Sequence, residues 1–360
     1  MAKAVALAWR GAGQTSPNPP VGAVVVRHGK VVGVGYHRRA GGPHAEVVAL
    51  RQAGPRARGG TLYVTLEPCC HVNKRTPPCV PSIIESGIKR VVAATRDPNP
   101  KVSGRGLAAL RRAGLKVETG VGARDAERLI EPYRRLVTAG RPFVTLKVAA
   151  TLDGKIATAT GESRWITSPA AREMVHVLRA RSDAILVGIR TVLADDPSLT
   201  VRTGSPRGRA PLRVVLDPAL NIPLRAKVLT DGRASTLIVT TSLSPPSKKA
   251  ALEQKGAGVL VLPARHRRVA WRDLLNELGR RGIASLLIEG GAEVNASALR
   301  ERVVDRVLFF LAPKILGGRD ALSAVGGESP KHLGEALPVN VTSVTRVGPD
   351  LLIEGRLRQA

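Results

Sequence analysis

Short apolar runs alternate along the chain with stretches of helical spacing, and a break near residue 142 separates two such series. Residues 3–10 carry the apolar spacing of a helix that Gly11 to Gly13 stop. Val21 to Arg27 and Val31 to Tyr36 read as two strands joined at Gly29, a hairpin leading out of the loop Ser16, Pro17, Asn18, Pro19, Pro20. A helix opens at about residue 44 behind Pro43 and ends at Gly54 and Pro55, which puts His44 and Glu46 in its first turn. Strands follow at Thr61 to Thr65, Val91 to Thr95 and Leu115 to Thr119, with helices at Cys79 to Ser86 and from Gly106 to Ala113 between them. Residues 120–142 read as a helix and a linker. This alternation predicts a layered α/β domain over residues 1–142.

The second series begins with the apolar strand Phe143 to Ala150, and the turn Thr151, Leu152, Asp153, Gly154 predicts a hairpin into a second strand at Lys155. Ser168 and Pro169 have the residue types of an N-cap and first helical position, opening a helix through Arg179. Further strands are read at Ala184 to Gly188, Leu212 to Asp217, Ser235 to Thr240, Val259 to Leu262, Leu286 to Glu289, Val303 to Ala312 and within 341–356, with helices over 271–281 and Ala292 to Arg300. The run Leu286 to Glu289, then Gly290 and Gly291, then a helix start, is either an anion cradle or a tight strand-to-helix packing site. Gly33, Val34, Gly35 begin a dinucleotide fingerprint, but Arg38 takes the third glycine position and no helix opens there. The second domain is expected over residues 143–360.

Composition changes this picture in three places. A chain of 360 residues exceeds the usual domain of about 100–150 residues, in keeping with two domains. With 43% hydrophobic residues and mean hydropathy close to zero, packed cores are expected and a membrane span is not. Trp9, Arg10 and Gly11 interrupt the one N-terminal apolar run that resembles a signal segment, so a cytoplasmic location is expected. The net charge is +28, which favours anionic ligands or reflects a general arginine bias on a solvated surface. Aromatic residues are only 2%, too few for the stacking platforms of single-strand binders, so small phosphorylated molecules are expected rather than nucleic acid.

All three cysteines fall between residues 69 and 79, a poor disulfide plan and a good metal plan. A catalytic zinc takes three nitrogen or sulfur ligands and keeps one open position, and His44 with two of Cys69, Cys70 and Cys79 supplies that set. Glu46, two residues past His44, has the chemistry to take a proton from an attacking water and give it to a leaving amine. His, Glu, Pro-Cys and Cys form the signature of zinc nucleobase deaminases, here with the thiolates farther apart than C-x-x-C. A closed site using all three cysteines would leave Glu46 without a role.

These residues carry a resemblance. Pro17 to Gly22, His44-Ala45-Glu46, Thr65 to Cys70, Thr76 to Cys79 and Asp97 to Pro100 resemble, in order, the deaminase half of the bifunctional riboflavin-biosynthesis deaminase-reductases, a branch of the cytidine deaminase superfamily. The cysteine loop is one residue longer than the usual form. Leu152 to Lys155, Gly161 to Ser163, Trp165 to Pro169, Thr191 to Pro197, Glu289 to Gly291 and Ala312 to Gly317 resemble the reductase half of the same family.

The resemblance implies an α/β chain in which a cytidine-deaminase-like domain precedes a dihydrofolate-reductase-like domain. It implies zinc on His44, Cys69 and Cys79, proton transfer by Glu46, and a deaminase substrate site lined by Asn18, His71, Lys74, Asp97 and Asn99. For the reductase half it implies NADPH facing Ala149, Trp165, Thr191, Asp195 and the segment Gly291, Ala292, Glu293, Val294, Asn295, Ala296, Ser297. Ser163, Arg179, Leu199, Arg202 and Glu289 would face the ribose phosphate substrate, with Lys147 a hydrogen-bond donor near the transferred hydride. Arg190 stands where a small residue is expected. The implied activity is zinc-dependent deamination of a phosphoribosylated diaminopyrimidine, then NADPH-dependent reduction of its ribosyl unit, in a homo-oligomer. The rival readings are a nucleic-acid base deaminase and a zinc-stabilised binding protein.

Overall fold

The computed structural model describes residues 1–71, 76–202, 210–265 and 268–357. The chain divides into two compact units, Met1–Arg141 and Pro142–Ala360.

In the first unit the predicted hairpin forms from β1 (Gly22–Arg27) and β2 (Lys30–Tyr36), antiparallel. β1 also runs antiparallel to β3 (Thr61–Val64), and β4 (Arg90–Ala93) and β5 (Lys116–Thr119) add in parallel, giving the order β2-β1-β3-β4-β5. The helices are α1 (Ala2–Trp9), α2 (Ala45–Ala53), α3 (Cys79–Glu85), α4 (Arg105–Arg112), α5 (Ala123–Leu129) and α6 (Glu131–Ala139). Val25, Ala49, Leu62, Ile83, Val91 and Leu110 meet in one apolar core between sheet and helices.

Two glycines set how closely α2 approaches. A Cβ on Gly33 would lie 2.2 Å from the Ala49 carbonyl oxygen, and one on Gly35 would lie 2.4 Å from that of Ala45. The pair that resembles part of a nucleotide fingerprint therefore lets α2, whose N-cap is His44, lie directly on β2. The single helix expected over 120–142 is corrected to α5 and α6, which break at Ile130. Pro132 has no N–H to offer the Arg128 carbonyl, and its ring tolerates only the first turn of a helix.

The second unit is built on a nine-stranded sheet in the order β11-β10-β9-β8-β14-β6-β15-β18-β17. Its strands are β6 (Phe143–Thr151), β8 (Ala184–Gly188), β9 (Leu212–Leu216), β10 (Thr236–Thr241), β11 (Gly258–Leu262), β14 (Ser285–Ile288), β15 (Arg306–Ala312), β17 (Val339–Val347) and β18 (Asp350–Leu357). All neighbours from β11 through β15 are parallel, and only β18 and β17 run antiparallel at one edge. Short strands β7 (Lys155–Ala157) with β16 (Leu322–Ser323), and β12 (Ala264–Arg265) with β13 (Arg268–Val269), form two small ladders. The hairpin expected at Thr151 is thus corrected: β7 turns away from β6 and pairs with β16. The Thr151 hydroxyl accepts the Lys155 N–H and donates to the Asp153 carboxylate, which bends the chain out of the sheet.

Helices α7 (Pro169–Ala180), α8 (Ile189–Asp195), α9 (Lys227–Thr230), α10 (Pro246–Gln254), α11 (Trp271–Arg280) and α12 (Ala292–Arg300) complete the unit. Leu274, Leu275 and Leu278 of α11 and Ala298 of α12 share a core with Val144, Leu146 and Val148 of β6. Alternate residues of β6 face the other way, where Ala149 packs in the cluster of Ala171, Met174, Val175 and Leu178 from α7. Parallel strands covered on both faces read as continuous apolar runs, and β8 is buried at every position.

Replacing Gly35 by alanine is expected to lift α2 from β2 and destabilise the chain by about 1–3 kcal/mol, the usual range for overpacking. Urea unfolding of the full chain measures it; an unchanged midpoint would show that the backbone relaxes without cost.

Candidate functional site

The first site gathers where two helices start beside the end of β3. His44 is the N-cap of α2 and Cys79 the first residue of α3, while Cys69 lies in the turn after β3. Donor atoms of His44, Cys69 and Cys79 all lie within 4.8 Å of one another. The His44 Nδ1 atom is 3.5 Å from Cys69 Sγ and 3.3 Å from Cys79 Sγ. Bond lengths of about 2.3 Å to sulfur and 2.0–2.1 Å to nitrogen give a tetrahedral zinc S···N edges of about 3.6 Å, so the spacing fits that ion. The other nitrogen, Nε2, is 3.1 Å from the Thr76 hydroxyl, a partner that leaves Nδ1 for the metal. The Cys79 N–H donates to Cys69 Sγ at 3.4 Å and favours its thiolate. Cys70 is half-buried and outside this group.

Glu46 is 3% exposed in the first turn of α2. Burial pushes its carboxyl above the ordinary value, Cys69 adds to the rise, and His44 opposes it. Asp97, also buried, is pushed up to about 6 by desolvation, against hydrogen bonds from the Asn99 N–H and the Tyr133 hydroxyl. Asn99 turns its side-chain oxygen to the Lys101 N–H at 3.0 Å. Asn18 lies 3.4 Å from His37, whose ring packs edge-on against His44 at 5.2 Å between centroids. His71 is half-buried two residues after Cys69, and Lys74 lies outside the described residues.

Sequence reasoning did not single out Glu67, His37 or Tyr133. Glu67 was legible as part of the Thr65 to Cys70 run, His37 only as one histidine before a glycine pair, and Tyr133 had no local signal.

The second site lies where β6 and β14 run side by side, their C-terminal ends being the usual crevice of an open α/β sheet. Glu289 follows β14 directly, with its side chain 5% exposed. Arg179 of α7 grips it with two bonds, Nε to Oε1 at 2.5 Å and Nη2 to Oε2 at 2.9 Å, and Lys147 of β6 sits 3.3 Å from Oε2. Burial would raise the Glu289 carboxyl, but Arg179 and then Lys147 outweigh it and hold it down at about 2. The third Arg179 nitrogen donates to the Thr200 carbonyl at 3.1 Å. Arg202 is exposed two residues further on.

The expected cofactor residues fall into two groups. The Arg164 guanidinium donates to the Asp195 carbonyl at 2.8 Å, and the Ser163 hydroxyl lies 3.5 Å from the Asp195 carboxylate. Trp165 is 61% exposed with the Arg172 guanidinium 4.4 Å above its ring, so its indole is presented outward. Thr191 donates to the Gly290 carbonyl at 3.4 Å, and its hydroxyl would meet a Cβ on Gly291 at 3.2 Å. Gly290 and Gly291 have φ of 82° and 90°, values that suit glycine. Beyond them the side chains are engaged by protein: Asn295 donates to the Ala324 carbonyl, Ser297 accepts from Trp271, and Glu293, Val294 and Ala296 pack near Gly326, Gly188 and Gly327. Ala292 is buried at the helix start. The segment thus offers a ligand the opening of α12 more than its side chains. Leu199 is 3% exposed within the cluster of Val187, Val192 and Ile222, so its main chain is what remains for a substrate.

A thiolate and imidazole centre with an adjoining buried carboxylate, followed by an α/β unit with a charged crevice, defines a zinc deaminase fused to a second enzyme. The comparisons agree. Residues 1–95 match the cytidine and deoxycytidylate deaminase zinc-binding region, and residues 142–353 match the RibD C-terminal domain. The riboflavin biosynthesis protein RibD of Aquifex aeolicus is 48% identical over 98% of this chain and 96% of its own length, and that of Escherichia coli is 41% identical over 98% and 97%. Acinetobacter baumannii RibD superposes with a TM-score of 0.88 at 37% identity, covering 99% of this chain and 98% of that one. A Thermotoga maritima structure described as a diaminohydroxyphosphoribosylaminopyrimidine deaminase and 5-amino-6-(5-phosphoribosylamino)uracil reductase superposes with a TM-score of 0.87 at 38% identity, covering 99% and 97%. The chain belongs to the RibD family of riboflavin biosynthesis proteins. It is a bifunctional deaminase and reductase with a zinc-binding His/Cys/Cys site in its deaminase part and an NADPH-dependent reductase part, and both parts act on small molecules. Among the described residues no helix is long and apolar enough to cross a membrane.

The low Glu289 value carries a sign. Its folded pKa lies below the unfolded 4.5, so the stability it contributes is present above pH 4.5 and is lost as pH falls towards about 2. Glu289→Gln leaves Arg179 and Lys147 without their anion and is expected to cost about 3–5 kcal/mol at neutral pH. Calorimetry of the full chain from pH 7 to 3 tests this: a variant as stable as the parent at pH 7 contradicts it.

Proposed function

We propose that residues 1–142 deaminate 2,5-diamino-6-(5-phosphoribosylamino)pyrimidin-4-one and that residues 143–360 then reduce the ribosyl unit of the product to ribityl. The observation that carries this reading is the placement of buried Glu46 beside the His44, Cys69 and Cys79 group. His44 Nδ1 and the two thiolates hold the zinc, which when bound supplies a Lewis acid that makes a water easier to deprotonate. Glu46 takes a proton from the attacking water and returns it to the amine nitrogen, which leaves as ammonia. Burial raises the Glu46 carboxyl above its ordinary value, which makes it a stronger base towards the proton of the attacking water. Asn18, His71, Lys74, Asp97 and Asn99 hold the pyrimidine and its ribose phosphate. The name of the Thermotoga relative, which pairs these two activities, supports the substrate.

In the second unit NADPH supplies a hydride, and Ala149, Trp165, Thr191, Asp195 and the Gly291 to Ser297 segment hold it. Lys147 and Ala149 lie two residues apart on the same face of β6, which puts an ammonium beside the cofactor face. Lys147 steadies the oxygen released when the sugar opens, while Ser163, Arg202, the Leu199 main chain and the Arg179–Glu289 pair fix the ribose phosphate. The protein works in the cytoplasm on small phosphorylated molecules rather than nucleic acid, in keeping with three cysteines that form no disulfide, two of them in the metal group. It forms a homo-oligomer, supported by the long outer strand β17, where Val339, Val341 and Val344 are exposed at the sheet edge.

Glu46→Gln is expected to keep zinc and lower ammonia release by about a hundredfold to ten-thousandfold, the typical share of a general acid-base group, while leaving NADPH oxidation on the deaminated intermediate intact. Unchanged ammonia release would remove Glu46 from the chemistry, and ammonia release from an oligonucleotide but not from the diaminopyrimidine ribotide would replace the substrate. Val341→Lys with Val344→Lys is expected to lower the oligomeric state measured by light scattering; an unchanged mass would place the interface elsewhere.

A further inference from the structure

His37 has no part in the chemistry above, yet it is 2% exposed and joins two elements of the deaminase site. Its Nδ1 lies 3.0 Å from the Pro43 carbonyl oxygen, one residue before His44, and its Nε2 lies 3.4 Å from Asn18 Nδ2. Its own main-chain N–H donates to the Val21 carbonyl at 2.9 Å, so the ring is anchored to the chain leading into β1. A Cβ on Gly11 would lie 2.3 Å from the His37 carbonyl oxygen, so the α1 terminus closes over this residue from the other side.

We propose that His37 is a positioning residue that fixes the hydrogen-bonding polarity of Asn18 towards the substrate. A carbonyl oxygen only accepts, so Nδ1 carries the hydrogen and donates to Pro43. In that tautomer Nε2 holds a lone pair and accepts, and the group facing it is the Asn18 amide nitrogen. One of the two Asn18 amide hydrogens is then held by His37, which fixes which end of the amide is nitrogen and which is oxygen. The flip state of Asn18 is therefore set before the substrate arrives, and the amide presents a single arrangement of acceptor and donor to the pyrimidine edge. Without a fixed partner the amide would present either end, and a nitrogen facing a substrate N–H leaves both donors unsatisfied. Pro43 precedes the metal-ligating His44, so the polarity that reads the substrate is set by the same backbone segment that positions the metal.

This inference rests on the reading of Asn18 as a substrate contact, and the test separates the two. In the zinc-loaded full chain, long-range proton–nitrogen correlation spectra with the His37→Gln variant for assignment should show His37 with its hydrogen on Nδ1. A ring with its hydrogen on Nε2 would overturn the proposal whatever the kinetics. His37→Met, which removes the acceptor, should raise the KM for ammonia release about tenfold, the effect of one misdirected hydrogen bond, with kcat little changed. His37→Gln, whose side-chain oxygen can accept in place of Nε2, should restore most of that KM. An unchanged KM in His37→Met, or equal KM values in the two variants, also overturns it. If His37→Met loses zinc, the spectra decide alone. Asn18→Ala with an unchanged KM would instead remove Asn18 from the substrate site, leaving the tautomer result standing.

Discussion

Glu67 is buried where β3 ends, and its two carboxylate oxygens accept the backbone N–H groups of Asp97, Gly104, Gly106 and Leu107 at 2.8–3.3 Å. Three of those groups belong to the unsatisfied first turn of α4, where a negative charge also meets the favourable end of the helix dipole. The same side chain therefore caps a helix and ties the Asp97 loop to the turn that carries Cys69. Gly106 makes this possible, since a Cβ there would lie 2.0 Å from the Pro68 carbonyl oxygen. The metal group and the Asp97 loop are held at a fixed spacing by one buried anion and one missing methyl group.

Three buried glutamates show how environment divides one side chain into different roles. Glu67 is surrounded by main-chain donors and acts as a structural fastener. Glu289 is surrounded by cations, stays ionised down to about pH 2, and holds Arg179 and Lys147 at the crevice of the second unit. Glu46 has thiols on one side and a histidine on the other, and its carboxyl rises above the ordinary value. The contrast between Glu289 and Glu46 follows from desolvation, which penalises both charges, and from what each receives in compensation.

Much of this was legible in the sequence wherever a local rule applied. The cap Ser168, whose hydroxyl accepts the Ala171 N–H, the first-turn placement of His44 and Glu46, and the apolar run of β8 all follow from residue type and spacing. The register of Cys69 against Cys70 did not, because adjacent residues of one type differ only in which way the turn points them. The helix break at Ile130 could have been read from Pro132, whereas the departure of β7 from β6 depends on a partner strand more than 160 residues away. Helix α10 buries only Leu252 and so leaves almost no periodic signal. Tyr133, which braces the Asp97 loop from α6, is of the same long-range kind.

The formal charge of +28 overstates what a phosphate would meet in the second unit. Arg179 spends two of its donors on Glu289 and another on Thr200, and Lys147 shares the same carboxylate, so the three side chains together carry one net positive charge rather than two. Partial neutralisation weakens the long-range pull on an anion. It also keeps two cations pointed into a buried crevice at a desolvation cost that neither could bear alone. The donors that point into this crevice are thus ordered before any ligand arrives. In so basic a chain, fixed donor geometry sets this crevice apart from the surplus of surface arginine, whose field acts over longer range on any anion.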